Sequence, residues 1–405
     1  MSNSEPSSTS AASAEVEPLS DSELSPEERA EAQRYGRLGL ACEVADKLLD
    51  LVYLTAAALA APWLDQWLAG NSHLAQSDTL RLIALFAIVF TLHAAVSFPL
   101  SLFSGHVLEH RFKLSTLTLG GWFVRYLKRM GLAAALSLAL FVGLFWLIWL
   151  CGWWWWLVAA AVFFLVSVAL GQLVPVLIMP LFYKIVPLDR PELAQRIAEL
   201  AEPAGLSVEG TYRIDFSVET VKANAALAGL GRTRRVLLGD TLLANFSNDE
   251  IAVVFAHEVG HHVHRHLPKM LVGGLLVSLA GFFVCHLALG GWFAALGQPL
   301  DYHTLPVFAL PIIMLILAVF GLLFEPLQNT VSRHFEREAD RYALDATGMR
   351  EAFRSAFRKL ARLNKDDPDP PRLEVILWHS HPPIGERLAA AESGEPGAAD
   401  RPARL

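Results

Sequence analysis

The sequence predicts a mainly α, polytopic membrane protein of about six spans that carries a cytoplasmic α+β unit with a small sheet. Three observations predict it. Hydrophobic residues make up 54% of the 405 and charged residues only 18%, and the apolar residues are gathered into blocks of about twenty. Lys and Arg are missing from alternate connections between those blocks. One long polar stretch between the fourth and fifth blocks mixes strand and helix patterns.

Residues 1–35 are rich in Ser, Glu, Pro and Ala, with almost no aromatics and no early apolar core. They read as a disordered cytoplasmic tail rather than a signal peptide. Residues 36–180 then carry four spans, at Leu51 to Leu68, Leu80 to Phe103, Gly131 to Leu150 and Trp154 to Met179. The first is Ala-rich, broken by Pro62 and bracketed by Asp50 and Asp65, so it also fits an interfacial helix. Two more spans follow within 270–328, at Met270 to Leu289 and Leu305 to Phe324. Loops 69–79, 151–153 and 290–304 hold no Lys or Arg, whereas the connector 104–130 holds Arg111, Lys113, Arg125, Lys128 and Arg129. The positive-inside rule then places both termini, 181–269 and 329–390 in the cytoplasm. The run Trp153 to Trp156 reads as an aromatic belt at the outer interface.

In the soluble stretch 181–269, Glu192 to Leu200 reads as a helix, Tyr212 to Phe216 and Arg235 to Leu238 as short strands, and Gly229 with Gly231 as a turn between them. Ser247-Asn248-Asp249-Glu250 is a capping box with acids in the first turn, and Ile251, Val254 and Phe255 recur at helical spacing after it. Two to three turns into that helix stands His257-Glu258-Val259-Gly260-His261. On a helix this motif sets two imidazoles on one face as metal ligands, with a carboxylate beside them to deprotonate a metal-activated water. A solvated His cluster, suggested by His262, His264 and His266, explains neither the capped apolar helix nor the Glu.

A catalytic zinc needs a third protein ligand. The metzincin extension is excluded, because positions 264 and 267 are His264 and Leu267. The segment 329–340 offers Asn329, Arg333, Glu336 and Asp340 at steps of four, three and four, one polar helical stripe, with Glu338 pointing elsewhere. Spacing alone does not choose between a ligand-bearing stripe and an exposed charged helix.

Those two motifs together resemble the M48 metallopeptidases, and specifically the Ste24 type, the CAAX prenyl proteases. Val174-Pro175 through Met179-Pro180-Leu181-Phe182, Pro187-Leu188, Asn224-Ala225, Arg235 to Leu243, and His381-Pro382-Pro383 with Arg387 extend the resemblance in the same order over roughly residues 40 to 390. The family usually has an aromatic, Gly, Phe, Asn run after the second span, where this chain reads Glu109 to Ser115. The resemblance implies a zincin-like metalloprotease domain with one Zn²⁺ per chain, held by His257, His261 and Glu336. It also implies Glu258 as the general base, Asp340 as the partner of a ligating imidazole, and Asn224, Ala225, His381 and Arg387 as substrate-binding residues. The resemblance places Asn224-Ala225 on an edge strand that holds the substrate; read without it, Asn224-Ala225-Ala226 is better taken as an ordinary loop.

The expected activity is hydrolysis of CAAX-type or other membrane-associated peptides, lipidated ones included, in contact with membrane lipid. A membrane quality-control protease of the HtpX type shares the zinc chemistry, and a silent zinc scaffold or a transporter is the reading from another class. The intact Glu258 argues against a scaffold. The absence of paired, Gly- or Pro-broken inverted spans argues against a transporter. The net charge of −7 argues against nucleic acid as a partner. Cys42, Cys151 and Cys285 have neither metal nor disulfide spacing. Residues 391–405 read as a flexible tail, and the Ala- and Leu-rich composition points to a bacterial inner membrane.

Overall fold

The computed structural model describes residues 19, 22–229 and 234–393 of the chain. Helix α1 (Pro26–Ala69) opens with a capping box: Ser25 Oγ accepts the Glu28 N–H, and Glu28 accepts the Ser25 N–H. The expected tail boundary at residue 35 is therefore corrected to a helix start at Pro26. Proline at N1 with Glu27 and Glu28 in the first turn is a start signal that the polar composition of the stretch obscured. The rest of the expected tail, residues 1–18, lies outside the described residues, as do residues 394–405.

Helices α2 (Asp78–Leu102), the single turn α3 (Glu109–Arg111), α4 (Leu119–Cys151) and α5 (Trp155–Leu173) follow. Among the described residues four runs are long and apolar enough to cross a membrane: Asp78–Arg111, Leu119–Leu181, His266–Ala295 and Ala309–Thr347. The second contains both α4 and α5, joined at Gly152, whose φ of +54° and contact with the His303 ring leave no room for a β-carbon. The remaining expected span, Leu51 to Leu68, is the second half of α1. It shows Val52, Leu59, Trp63 and Trp67 outward, a face suited to lipid. The connector is shorter than expected, because α4 already begins at Leu119.

The helical bundle packs around Leu85, Phe145, Ile148, Leu289 and Ile312. Trp155 belongs to this core, fully buried and edge-on to Phe282, whereas Trp153 and Trp154 are exposed. The expected belt is thus split, because a helix that starts at 155 turns every third or fourth residue inward. Three contacts pair ionisable residues inside the bundle: His93 with Asp50 at 2.7 Å, His286 with the Tyr302 hydroxyl at 2.8 Å, and Lys47 with Glu325.

The polar stretch forms β1 (Ile185–Pro187), α6 (Pro191–Ala201), β2 (Gly210–Ile214), β3 (Ala225–Ala228), β4 (Arg235–Gly239), α7 (Asp240–Asn245) and α8 (Asn248–Val263). Residue 216 falls in a 3-10 turn rather than in the strand expected to reach it. The strand order is β1-β2-β4-β3, with β2 and β4 parallel and both outer pairs antiparallel. Among the described residues β3 is an edge, paired only through Ala225↔Leu238 to Ala228↔Arg235. Gly229 takes φ +94° after it; Gly231, the other expected turn residue, lies outside the described residues.

Helices α9 (His266–Ala295) and α10 (Ala309–Thr347) lead through the bundle, and α11 (Arg350–Asn364), α12 (Arg372–Trp378) and α13 (Ile384–Ser393) return to the sheet side. Val253 and Ala256 of α8 pack with Ala343 of α10, Phe353 and Phe357 of α11, and Ile384 of α13. α8 and α10 touch at Gly260, where an added β-carbon would stand 2.9 Å from the Ala339 Cα. That backbone approach brings the His257-Glu258-Val259-Gly260-His261 helix against the polar stripe of α10.

Candidate metal centre

Ser247 and Glu250 cap α8 reciprocally as expected, and Glu250 is further held by Lys359 at 2.9 Å. Two and a half turns on, His257 and His261 share a face and their Nε2 atoms stand 3.2 Å apart. Glu336 of α10 meets both: its Oε2 is 3.2 Å from His257 Nε2, and its Oε1 is 3.4 Å from His261 Nε2. One ligand atom from each of the three lies within 4.8 Å of the others.

The hydrogen bonds behind this cluster decide its chemistry. His257 Nδ1 donates to Asp340 Oδ1 at 2.9 Å, so its Nε2 is the bare nitrogen. His261 Nδ1 is likewise engaged, with His266 Nδ1 at 2.8 Å. Two imidazole lone pairs and a carboxylate therefore converge on one point, and Glu336 Oε2 is buried without a hydrogen-bond partner. Such a set is repulsive unless a cation sits within it, and two nitrogens with one carboxylate are the donors zinc prefers. Burial disfavours a charge on His257, but Asp340 and Glu336 outweigh it and push the imidazole up to about 9. Burial likewise works against the Glu336 carboxylate, yet His257 and His261 hold it well below the usual carboxylate range. Both shifts express the same demand for positive charge, which a proton on His257 Nε2 meets in the metal-free protein and a metal ion would meet in its place.

Asp340 is pulled up by burial and down, more strongly, by Arg387 and His257, so it stays ionised. Arg387 of α13 donates Nε to Asp340 Oδ2 at 2.8 Å and lies over the Phe357 ring at 4.0 Å. The structure thus places Arg387 behind His257, with its donors committed to Asp340, although it also borders the cavity. Glu258 faces the cavity, and among the described residues its carboxylate has no hydrogen-bond partner. Burial raises its pKa, with His257 and His261 opposing, the direction a general base needs. His381 Nε2 stands 3.6 Å from Glu336 Oε1.

The cavity has a volume of about 790 Å³ and is lined by Asn224, Ala225, His257, Glu258, Glu336 and His381 among others. All the expected site residues border it except His261 and Asp340, which stand behind it. Sequence reasoning missed what holds its shape. Asn329 and Arg333, the upper half of the polar stripe, are not at the metal position. Asn329 Nδ2 donates to the Leu377 carbonyl at 2.9 Å and Arg333 Nη1 to the Val375 carbonyl at 2.7 Å, which fixes the segment leading to His381. On the opposite side Lys222 bonds Glu109 at 3.0 Å and the Tyr35 hydroxyl at 2.9 Å. Glu219 there takes Arg125 at 2.8 Å and the Tyr183 hydroxyl at 2.6 Å. The basic charges of the connector were the signal in the sequence; their acidic partners were not predictable from it.

Comparison with known proteins supplies the family. The model of peptidase family M48 matches residues 187–395, and that of the CAAX prenyl protease N-terminal region, with five membrane helices, matches residues 9–184. An uncharacterized metalloprotease of Bacillus subtilis, YhfN, is 31% identical over 78% of this chain and 74% of its own length. CAAX prenyl protease 1 of Saccharomyces cerevisiae is 29% identical over 78% and 73%. The crystal structure of S. mikatae Ste24p superposes with a TM-score of 0.78 at 24% identity, covering 94% of this chain and 93% of that one, so the fold is shared. With a family model matched over more than half the chain and a second matched to its helical first half, the protein belongs to peptidase family M48, as a membrane metalloprotease of the Ste24 type.

Proposed function

We propose that this protein is an integral-membrane zinc endopeptidase acting on CAAX-type or other membrane-associated peptides from the cytoplasmic side. The observation that carries the reading is the convergence of the His257 and His261 Nε2 lone pairs with the Glu336 carboxylate on a cavity that also presents Glu258 and a free strand edge. Zinc held by these three residues would supply the Lewis acidity that polarises a scissile carbonyl and makes water acidic enough to attack it. Glu258 takes the proton of the attacking water and returns it to the leaving amine, a transfer favoured by its raised pKa. An extended peptide adds to β3 as a fifth strand, with Asn224 and Ala225 beside it, which fixes the scissile bond by main-chain hydrogen bonds. His381, beside Glu336, is the donor placed to meet charge developing on the carbonyl oxygen. Asp340 and Arg387 hold the His257 ring in its tautomer.

The cytoplasmic orientation rests on the charge of the connector and the loops without Lys or Arg. The match of the N-terminal helices to the CAAX prenyl protease model favours a CAAX-type substrate over a quality-control role. The test is bound zinc and cleavage of a farnesylated C-a-a-X peptide by purified wild type, Glu258→Gln and Glu336→Ala in detergent. Wild type is expected to cleave, Glu258→Gln to keep zinc without cleaving, and Glu336→Ala to lose both. Zinc retained in Glu336→Ala removes that residue from the ligand set, and a wild type that holds zinc but spares the peptide removes the substrate class.

A further inference from the structure

The second ligand, His261, has no carboxylate behind it as His257 does; it has another histidine. His266 follows it by five residues, and in an unbroken helix that offset turns a side chain about 140° away. The chain avoids this by breaking. α8 ends at Val263, and Arg265 adopts φ +54°, ψ +40°, a left-handed conformation that a β-carbon disfavours. α9 restarts at His266, which is thereby swung back to bring its Nδ1 within 2.8 Å of His261 Nδ1. The His266 ring is completely buried and stacks on Phe335 at 4.2 Å and 14°. Its other nitrogen, Nε2, is 2.9 Å from Glu338 Oε2, and Glu338 is kept in place by Lys269 at 3.8 Å and His334 at 3.8 Å.

Both ring nitrogens of His266 are matched, and in a fixed order. Glu338 is an acceptor, so His266 carries its hydrogen on Nε2 and presents a lone pair at Nδ1. That lone pair accepts only if His261 carries its own hydrogen on Nδ1, which leaves His261 Nε2 bare toward His257 and Glu336. We propose that His266 and Glu338 are positioning residues that set the tautomer and ring orientation of His261 through this two-step relay. The left-handed residue at Arg265 is then the backbone strain that the relay requires. The inference rests on the zinc reading above and extends it to residues outside the ligand set.

The experiment measures zinc affinity of the metal-free full chain in detergent by competition with a chromophoric chelator, together with the visible absorption of the cobalt-substituted protein. His266→Phe keeps a stacking ring but removes the acceptor. It is expected to weaken zinc binding about 10 to 100-fold and to alter the cobalt spectrum. His266→Asn, whose Oδ1 takes the place of Nδ1, restores most of the affinity and the wild-type spectrum, and Glu338→Ala falls between the two. The melting temperature of each metal-free variant separates packing from positioning, and Glu338→Ala decides the matter where His266→Phe fails to fold. Wild-type affinity in both His266→Phe and Glu338→Ala overturns the proposal. So does a His266→Asn protein that melts normally yet binds zinc as poorly as His266→Phe. A wild type that binds no zinc at all refutes the reading this inference stands on, and takes the inference with it.

Discussion

One wall of the cavity, made by α8, α10 and α13, keeps its charges buried and in a chain from Arg387 to Asp340 to His257, and behind it the half-buried Glu338 reaches His261 through the buried His266 of α9. The facing wall, made by the start of α1, the connector around Glu109 and the loop before β3, keeps its charges partly exposed and in pairs such as Lys222 with Glu109 and Arg125 with Glu219. On the first wall low dielectric makes every unpartnered group costly, so geometry is strict and a lost partner is felt at the metal position. On the second, water screens each pair and a lost partner shifts a loop by a little.

Removing the metal is the largest perturbation of the first wall. Dialysis against a chelator is expected to abolish cleavage, and zinc to restore it, while mutations on the second wall leave the metal content unchanged. Next comes Glu258→Gln, expected to lower kcat by about 10² to 10⁴-fold with zinc content intact; a variant that kept its rate would move the base elsewhere. Asp340→Ala, which strips the His257 Nδ1 of its acceptor and Arg387 of its partner, is expected to weaken zinc binding about 10 to 100-fold, as titration of the metal-free protein would show. On the second wall Lys222→Met breaks contacts to Glu109 and Tyr35 beside Asn224. The expected effect is a KM higher by about fivefold, about 1 kcal/mol, with kcat retained; a fall in kcat instead would erase the distinction between the walls.

The smallest effect concerns Asp366, which lines the cavity and is exposed to the water in it, so that solvent screening leaves little of any electrostatic cost. Desolvation within the cavity, only partly offset by Lys222 and His379, pushes its carboxyl up to about 6. A carboxyl whose folded pKa lies above its unfolded value penalises the fold once it ionises. The penalty is absent below about pH 4 and complete above about pH 6. Asp366→Asn is therefore expected to raise the melting temperature by about 1 to 2 °C at pH 8 and to leave it unchanged at pH 4, which a pair of melting curves would check.

The first wall was largely legible in the sequence because its parts are local. His257, Glu258 and His261 lie within one turn and a half, and the α10 stripe repeats at helical spacing. Even there, the stripe hid a division of labour, since Asn329 and Arg333 hold carbonyls of α12 while Glu336 and Asp340 serve the cluster. His266 was illegible because it stood in a run with His262 and His264, and only the turn at Arg265 singles it out. The second wall was not legible, because Tyr35, Glu109 and Lys222 come from separate segments of the chain and no periodicity links them. β3 escaped description as a strand without the family resemblance, since Ala225-Ala226-Leu227-Ala228 has no β-branched residue to mark it.

The order of the chain has a consequence for how the enzyme comes into being. His257 and His261 are synthesised before α9 and the apolar part of α10, and Glu336 after them. At about 5 to 20 residues per second, the 75 residues from His261 to Glu336 occupy the ribosome for on the order of 4 to 15 s. During that interval the nascent chain owns two of the three groups and cannot close the cluster. Completing it requires α10 to fold back along α8 at Gly260, with the two apolar helices already paired. Closure of the three-residue cluster is thereby tied to the placement of α9 and α10, the two apolar helices that separate its parts along the chain.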